Sequence, residues 1–317
     1  MKELFNYCAV LGYEKSLFQS EEELCRYIES LGMDGIELFV YQNEPYLQSY
    51  QKFVVGAHLN YWPMWIDFYN GNKEELHKFF SDEAAVKRYY GSCHYSGWLE
   101  YAKENIRAAL REDPEYLVWH VSEATTEECF TFRFKQDDQA VLDAAADVFN
   151  QVSSVIPEDT IVLFENLWWP GLRLTDKKMV DYFFKQIRHK NVGIMLDTGH
   201  LMSTNPDLKT QRDGINYILE TVAALGESAK LIRGMHLSCS LSGEYVRNCD
   251  KEYHDLDMPN RLFRHIGSID QHKPFTDPAI RRVIELVRPE YLVHEFVYTD
   301  LADFEKKIIM QLEACRK

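Results

Sequence analysis

The chain has no apolar run approaching the roughly 18 residues that a membrane-spanning helix requires. Its start, MKELFNYCAVLGY, carries one lysine and no long apolar stretch before a small-residue cleavage site, so a cytoplasmic protein is expected. No CxxC pair occurs: Cys8, Cys25, Cys93, Cys129, Cys239, Cys249 and Cys315 are odd in number and scattered. This argues against a disulfide framework or a cysteine zinc site and fits reduced thiols. Positive charge is also short, with 35 Lys and Arg against 50 Asp and Glu and a formal net charge of -15. Such a surface repels phosphate backbones, which disfavours nucleic acid as a partner, although bound cations in a cleft can reverse the sign locally. No internal repeat, low-complexity tract or Pro/Gly-rich linker divides the 317 residues, so one domain over 1–317 is expected.

What is present is a recurring unit, a short apolar strand followed by a longer amphipathic stretch. Strands are expected at Phe5–Gly12, Gly35–Val40, Phe53–Leu59, Tyr116–Ser122, Thr160–Leu167, Val192–Asp197, Ile232–Ser238 and Tyr291–Val297. Between them lie readable helices. Ser20 and Glu23 form an S-x-x-E start that closes on Gly32, and Asp277-Pro278 reads as an N-cap with proline in the first turn. Strands alternating with helices predict an α/β fold, a single (β/α)8 TIM barrel with long loops after strands 3 and 7. Those loops span residues 61–115 and 239–277 and leave the barrel face on which active sites of this fold sit.

Chemistry collects at the strand ends. The third strand carries His58, the fourth His120, the fifth Glu165, the sixth Asp197 with His200 just after it, the seventh His236 and the eighth Glu295; the loop after the seventh adds Asp270 and His272. Singly, each has an ordinary structural explanation: a strand histidine is usually hydrogen-bonded, and Asp197 can simply cap the turn that follows. Jointly they are acids and imidazoles at one depth on six consecutive strands, converging on one cavity. Mixed imidazoles and carboxylates suit Zn²⁺, Mn²⁺ or Fe²⁺ better than Ca²⁺ or Mg²⁺. The nine residues exceed the needs of one ion and suit two or three; a one-ion site would need only Glu165, Asp197, His236 and Glu295. His294 should face away from its neighbour Glu295. His77, His94, His189, His254 and His265 read as solvent-facing, and Cys239 as a weak additional ligand. Tyr61 and Trp62 either stack on a base or sugar or are buried at the barrel rim.

The motifs DGIELF, GAHLNY, VLFENL, MLDTGHL, GMHLS, IDQHKPF and VHEF, in this order, resemble the xylose isomerase-like TIM barrels, the superfamily that includes the abasic-site endonucleases of the endonuclease IV type. That resemblance implies one zinc on His58, His120 and Glu165, a second on Glu165, Asp197, His236 and Glu295, and a third on His200, Asp270 and His272. For sugar isomerases and epimerases of the superfamily it implies only the second set, holding Mn, Co or Mg, with Glu165 and Glu295 moving protons at carbon. GSIDQH puts Gln271 where the endonucleases carry a basic residue, and YQNEPYLQSYQK lacks an arginine to wedge into DNA. Three Zn²⁺ would bring the charge from -15 only to -9, each adding two. The expectation is therefore a multinuclear, tri-zinc hydrolase of a small phosphoester, with Glu165 and Glu295 as catalytic groups. The rival is a metal-dependent sugar or sugar phosphate isomerase or epimerase.

Overall fold

A computed structural model describes residues 1–8, 17–18, 20–41, 51–253 and 258–316, with the side chains of 258 and 259 left aside. The expected continuation of the first strand to Gly12, most of the loop after the second strand, and His254 lie outside the described residues. Eight parallel strands close into a barrel in sequence order. They are β1 (Lys2–Cys8), β2 (Gly35–Val40), β3 (Val54–Leu59), β4 (Tyr116–His120), β5 (Ile161–Glu165), β6 (Val192–Asp197), β7 (Ile232–Leu237) and β8 (Tyr291–His294). The last pairs with the first, Lys2 opposite Tyr291 and Phe5 opposite His294. The expected (β/α)8 TIM barrel is the fold observed.

Alternation along each strand sorts the side chains into an inner and an outer set. The inner set builds layers up the barrel axis. Leu4, Tyr116, Ile161 and Tyr291 pack with Val118, Leu163, Met195 and Val293 in one buried cluster. On the strands that supply both, the polar groups come last: His120 two residues beyond Val118, Glu165 two beyond Leu163, Asp197 two beyond Met195, Glu295 two beyond Val293. The barrel core thus ends in a polar floor at its C-terminal mouth. The outer set meets the helices. His294 belongs to it as expected, with Glu3 Oε1 3.0 Å and Gln311 Nε2 2.8 Å from its ring nitrogens.

The punctuation works as expected. Ser20 Oγ accepts from the Glu23 amide, and Gly32 ends that helix in the left-handed region at φ 64°. Asp277 caps Pro278–Ile280, a single tight turn leading into helix Arg281–Val287. The segment after β3 folds into short helices at Ile66–Tyr69, Lys73–Leu76 and Glu83–Tyr90 before helix Tyr95–Leu110. The segment after β7 carries helices Gly243–Asn248 and Met258–Ile269. All seven cysteines are free thiols. No helix among the described residues is long and apolar enough to cross a membrane.

One buried acid in this frame lies outside the polar mouth. Glu123, 4% exposed, is pushed up to about 8 by burial and by Glu128 and Asp67, against the Trp65 backbone N–H and the charge of Lys135. In the unfolded chain its carboxyl releases its proton near 4.5, whereas the folded protein holds it until about 8. Between those values the unfolded state binds fewer protons, so stability falls as pH rises, by at most about 1.4 kcal/mol per pH unit. Glu123→Gln keeps the acceptor for Trp65 and has no proton to lose. It is expected to match the wild type in urea melts at pH 4 and to exceed it by about 1–3 kcal/mol at pH 8.5. An equal gain at both pH values would exclude the titration as the cause.

Candidate metal centre

Asp197 shows how local folding aims a functional group. Helix Thr198–Ser203 starts directly on the end of β6, and Asp197 Oδ1 caps it by accepting from the His200 amide at 2.5 Å. The cap fixes the carboxylate rotamer and leaves Oδ2 without a hydrogen-bond partner among the described residues. Thr198 Oγ1 donates toward the carbonyls of His236 and Ser238, at 3.1 and 2.7 Å, tying this turn to β7. Gly199 is needed for that approach: a Cβ there would stand 2.5 Å from Ser238 Oγ. Asn166, next after β5, clamps the same turn from the other side, its amide bonded to the Asp197 backbone N and O at 2.9 and 3.0 Å. In D-T-G-H every residue therefore has a task, and Asp197 is both a cap and an open carboxylate.

The nine expected residues come together at the barrel mouth in three groups that are able to hold metal ions. These are His58, His120 and Glu165; Glu165, Asp197, His236 and Glu295; and His200, Asp270 and His272, each with ligand-capable atoms within 4.8 Å of one another. Glu165 is shared, and its two oxygens divide. Oε2 lies 3.2 Å from His58 Nε2 and 2.8 Å from His120 Nε2. Oε1 lies 3.3 Å from His236 Nδ1 and 3.2 Å from His200 Nδ1. In the second group His236 Nδ1 is 3.0 Å from Glu295 Oε2 and 3.9 Å from Asp197 Oδ2. In the third, Asp270 Oδ2 is 3.1 Å from His200 Nε2 and 2.6 Å from His272 Nε2.

Several of these close approaches lack hydrogen-bond geometry, and that decides what the groups fit. His120 Nε2, Asp197 Oδ2, His236 Nδ1 and Glu295 Oε2 are buried and have no hydrogen-bond partner among the described residues. Buried polar atoms rarely go unsatisfied, and here they face one another instead of pairing. A tetrahedral ion with bonds of about 2.0–2.1 Å keeps its donor atoms about 3.3 Å apart, near the spacings found. The far nitrogens are also held. His58 Nδ1 donates to the Leu59 carbonyl at 3.0 Å, and His200 Nδ1 to that of Asn166 at 2.9 Å, which leaves each Nε2 free to bind. The donor set and its orientation fit divalent cations.

Electrostatics follow from this crowding. Burial raises Glu165, but the fields of the close His120 and His236 imidazoles outweigh it and hold the carboxyl well below its usual range. Glu295 likewise is raised by burial yet drawn down to about 2 by His236 and His272. Asp197 goes the other way, pushed up to about 7 by burial against the pull of His200, with Glu295 and Glu165 adding repulsion. Burial lowers His272, but Asp270 and Glu295 bring it up to about 10. His272 also sits at φ 43°, a strained backbone for a non-glycine residue that the D-x-H turn imposes.

Other expectations meet mixed outcomes. Cys239 is buried in the main core, its backbone paired with Lys273, and belongs to none of the three groups. His77 and His94 are exposed as expected. His189 is half-buried, its Nε2 2.9 Å from the Thr160 carbonyl. His265 is not solvent-facing: it is 3% exposed, bonded to the Tyr245 hydroxyl and the Cys129 carbonyl. The reason is that helix Met258–Ile269 turns that face inward onto the loop after β4, which its polar composition hides. Trp62 is buried at the rim with its indole N–H on the Tyr89 carbonyl, while Tyr61 meets His120 edge-on at 4.3 Å. Sequence reading missed Asn166 and Glu37. Glu37, fully buried on β2, faces His236 Nε2 at 3.1 Å through Oε2; its one signal was a charged residue inside the apolar run GIELFV.

A cavity of about 410 Å³ opens beside His272 and Glu295, walled by Phe39, Tyr41, Phe263 and Phe296, with Asn6 and Cys8 on its floor. It lies within the size range of small-molecule sites. No lysine or arginine lines it among the described residues.

The family described as xylose isomerase-like TIM barrel matches residues 25–277. Among solved structures, endonuclease IV from Thermus thermophilus superposes with a TM-score of 0.52 at 13% identity, covering 100% of this chain and 98% of its own. D-psicose 3-epimerase, solved in the presence of D-fructose, superposes at 0.53 and 15% identity, covering 100% and 96%. The 3-keto-D-glucoside 4-epimerase of E. coli does so at 0.50 and 14%, covering 99% and 100%. No curated protein matches the chain. At these identities the structural likeness shows the fold alone.

Proposed function

The chain belongs to the xylose isomerase-like TIM barrel family, and on that premise we propose that it is a metal-dependent hydrolase of small phosphoesters built around three divalent ions, zinc first among them. The observation that carries this reading is the division of Glu165, one oxygen turned to His58 and His120 and the other to His236. A bridging carboxylate is what two adjacent ions need, and a single ion on the second group would leave His58 and His120 without work. When bound, such ions supply Lewis acidity and lower the pKa of water. The chain's own residues would orient the substrate. Glu165 and the buried imidazoles would fix where the phosphoryl oxygens sit, and Glu295 lines the cavity beside them. With no basic side chain among the described residues of the cavity wall, the substrate's negative charge would be met by the ions themselves, which suits a small phosphoester rather than a duplex.

A second reading has its own support. Glu295 lines the cavity and, with Glu165, flanks His236, an arrangement able to exchange a proton on a sugar carbon beside one ion of Mn, Co or Mg. Metal content of protein purified without chelators separates the two, together with turnover of bis(p-nitrophenyl) phosphate. Close to three zinc per chain with hydrolysis is the expected result. One manganese or cobalt per chain with ketose epimerisation, and survival of that activity in His272→Ala, would replace the proposal with the second reading.

A further inference from the structure

Glu37 is too deep to join the three groups and too polar to be packing. It lies one layer below the metal-capable residues, on β2, and touches only one of them. In the barrel register Glu37 stands opposite Gly56 on β3, and Gly56 opposite Tyr116 on β4. Gly56 leaves room that any larger residue would fill, since a Cβ there would lie 2.0 Å from Tyr116 Cζ and 2.4 Å from its hydroxyl. The Tyr116 ring passes over that glycine, and its hydroxyl donates to Glu37 Oε2 at 2.7 Å. The same carboxylate meets His236 Nε2, 3.1 Å from Oε2 and 2.9 Å from Oε1. All three side chains, Glu37, Tyr116 and His236, are fully buried.

We propose that Glu37, braced by Tyr116 across Gly56, is a positioning residue that keeps the His236 proton on Nε2 and so presents Nδ1 as a metal-binding atom beside Glu165, Asp197 and Glu295. The inference rests on the metal reading above. His236 is the only imidazole of the second group, so its tautomer decides whether that group offers three donors or four. His58 and His200 are held in the opposite tautomer, with Nε2 presented, by backbone carbonyls, which are neutral. At His236 the hydrogen-bonded partner is a carboxylate, which also raises the basicity of the nitrogen it frees. Three residues on successive strands are thereby committed to one ring.

The test compares wild type with Glu37→Leu, Glu37→Gln and Tyr116→Phe by competitive chelator titration of bound zinc and by ¹⁵N NMR of the histidines in metal-free protein, at a pH high enough that His236 carries a single proton. Glu37→Leu is expected to weaken one of the bound ions 10–100-fold, leave the others within about twofold, and move the His236 proton toward Nδ1. Glu37→Gln retains an acceptor without the charge and is expected to keep the tautomer and lose about three- to tenfold at the same ion. Tyr116→Phe should fall between Gln and wild type. Equal weakening of all ions, as a general loss of structure would cause, overturns the proposal, and so does an unchanged affinity and tautomer in both Glu37 variants. If Glu37→Leu fails to fold, Glu37→Gln and Tyr116→Phe decide it on the same criteria. A wild-type chain that takes up no zinc overturns the metal reading alone, because the metal-free tautomer still reports whether Glu37 sets His236.

Discussion

Glu165→Gln is expected to reduce metal-dependent turnover at least about 10³-fold and to leave roughly one zinc per chain where the wild type holds three. Glu165 is the only residue common to two of the three groups, and its oxygens face histidines of both. An amide offers one weak oxygen donor and, on the other side, an N–H₂ that repels a cation, so whichever way it turns one ion loses a ligand. The remaining ion would be that of His200, Asp270 and His272, to which Glu165 contributes no ligand. The variant should stay folded, because the substitution conserves shape within a rigid strand end. Plasma mass spectrometry and a bis(p-nitrophenyl) phosphate assay on the same sample check both numbers. Three zinc per chain in the variant would mean that Glu165 does not bridge.

Stripping the metal with a chelator is expected to lower the melting temperature by about 10 °C or more. Any ion bound only by the folded state at a thousandfold excess over its dissociation constant adds about 4 kcal/mol. For a domain of this size each kcal/mol is worth roughly 2–4 °C or somewhat less, and three ions add together. The pH dependence of the stripped protein gives a second signature. His272, lowered by burial but raised further by Asp270 and Glu295, titrates near 10 in the folded chain against an ordinary value of 6.5. A histidine so raised stabilises below about 6.5 and loses that contribution as pH climbs through about 10, so stripped protein should weaken across this window. The loaded protein should not, since binding requires the imidazoles to be deprotonated already and releases their protons. Calorimetric melts at pH 6.5 and 9.5, with and without chelator, check the sign. Parallel curves for the two forms would show that no ion occupies this cluster.

Much of this arrangement was legible in the chain because a barrel converts sequence order into position. Once β3 to β8 are assigned, the ends of the strands are the mouth, and an acid or imidazole at each end needs no further coordinate to be placed there. The residues that escaped reading lie elsewhere. Glu37 sits two positions into its strand, below the rim, where a pattern rule expects packing. Asn166 is a neutral amide whose task, holding the Asp197 backbone, involves no side chain of the ligand set. His265 was misplaced because periodicity tells which face of a helix is apolar, not that a polar side chain on that helix will find the Cys129 carbonyl beneath it. Tertiary partners of single polar groups are invisible to local pattern.

The order of the strands also sets the sequence in which the three groups can assemble during synthesis. His58, His120 and Glu165 lie on β3, β4 and β5, three neighbours that half a barrel already brings together. The group that shares Glu165 waits for Asp197, His236 and Glu295, the last of them just past β8, the strand whose pairing with β1 closes the ring. A chain emerging from its N-terminus therefore has the group of His58, His120 and Glu165 early, that of His200, Asp270 and His272 once the segment after β7 is made, and the group of Glu295 only at closure.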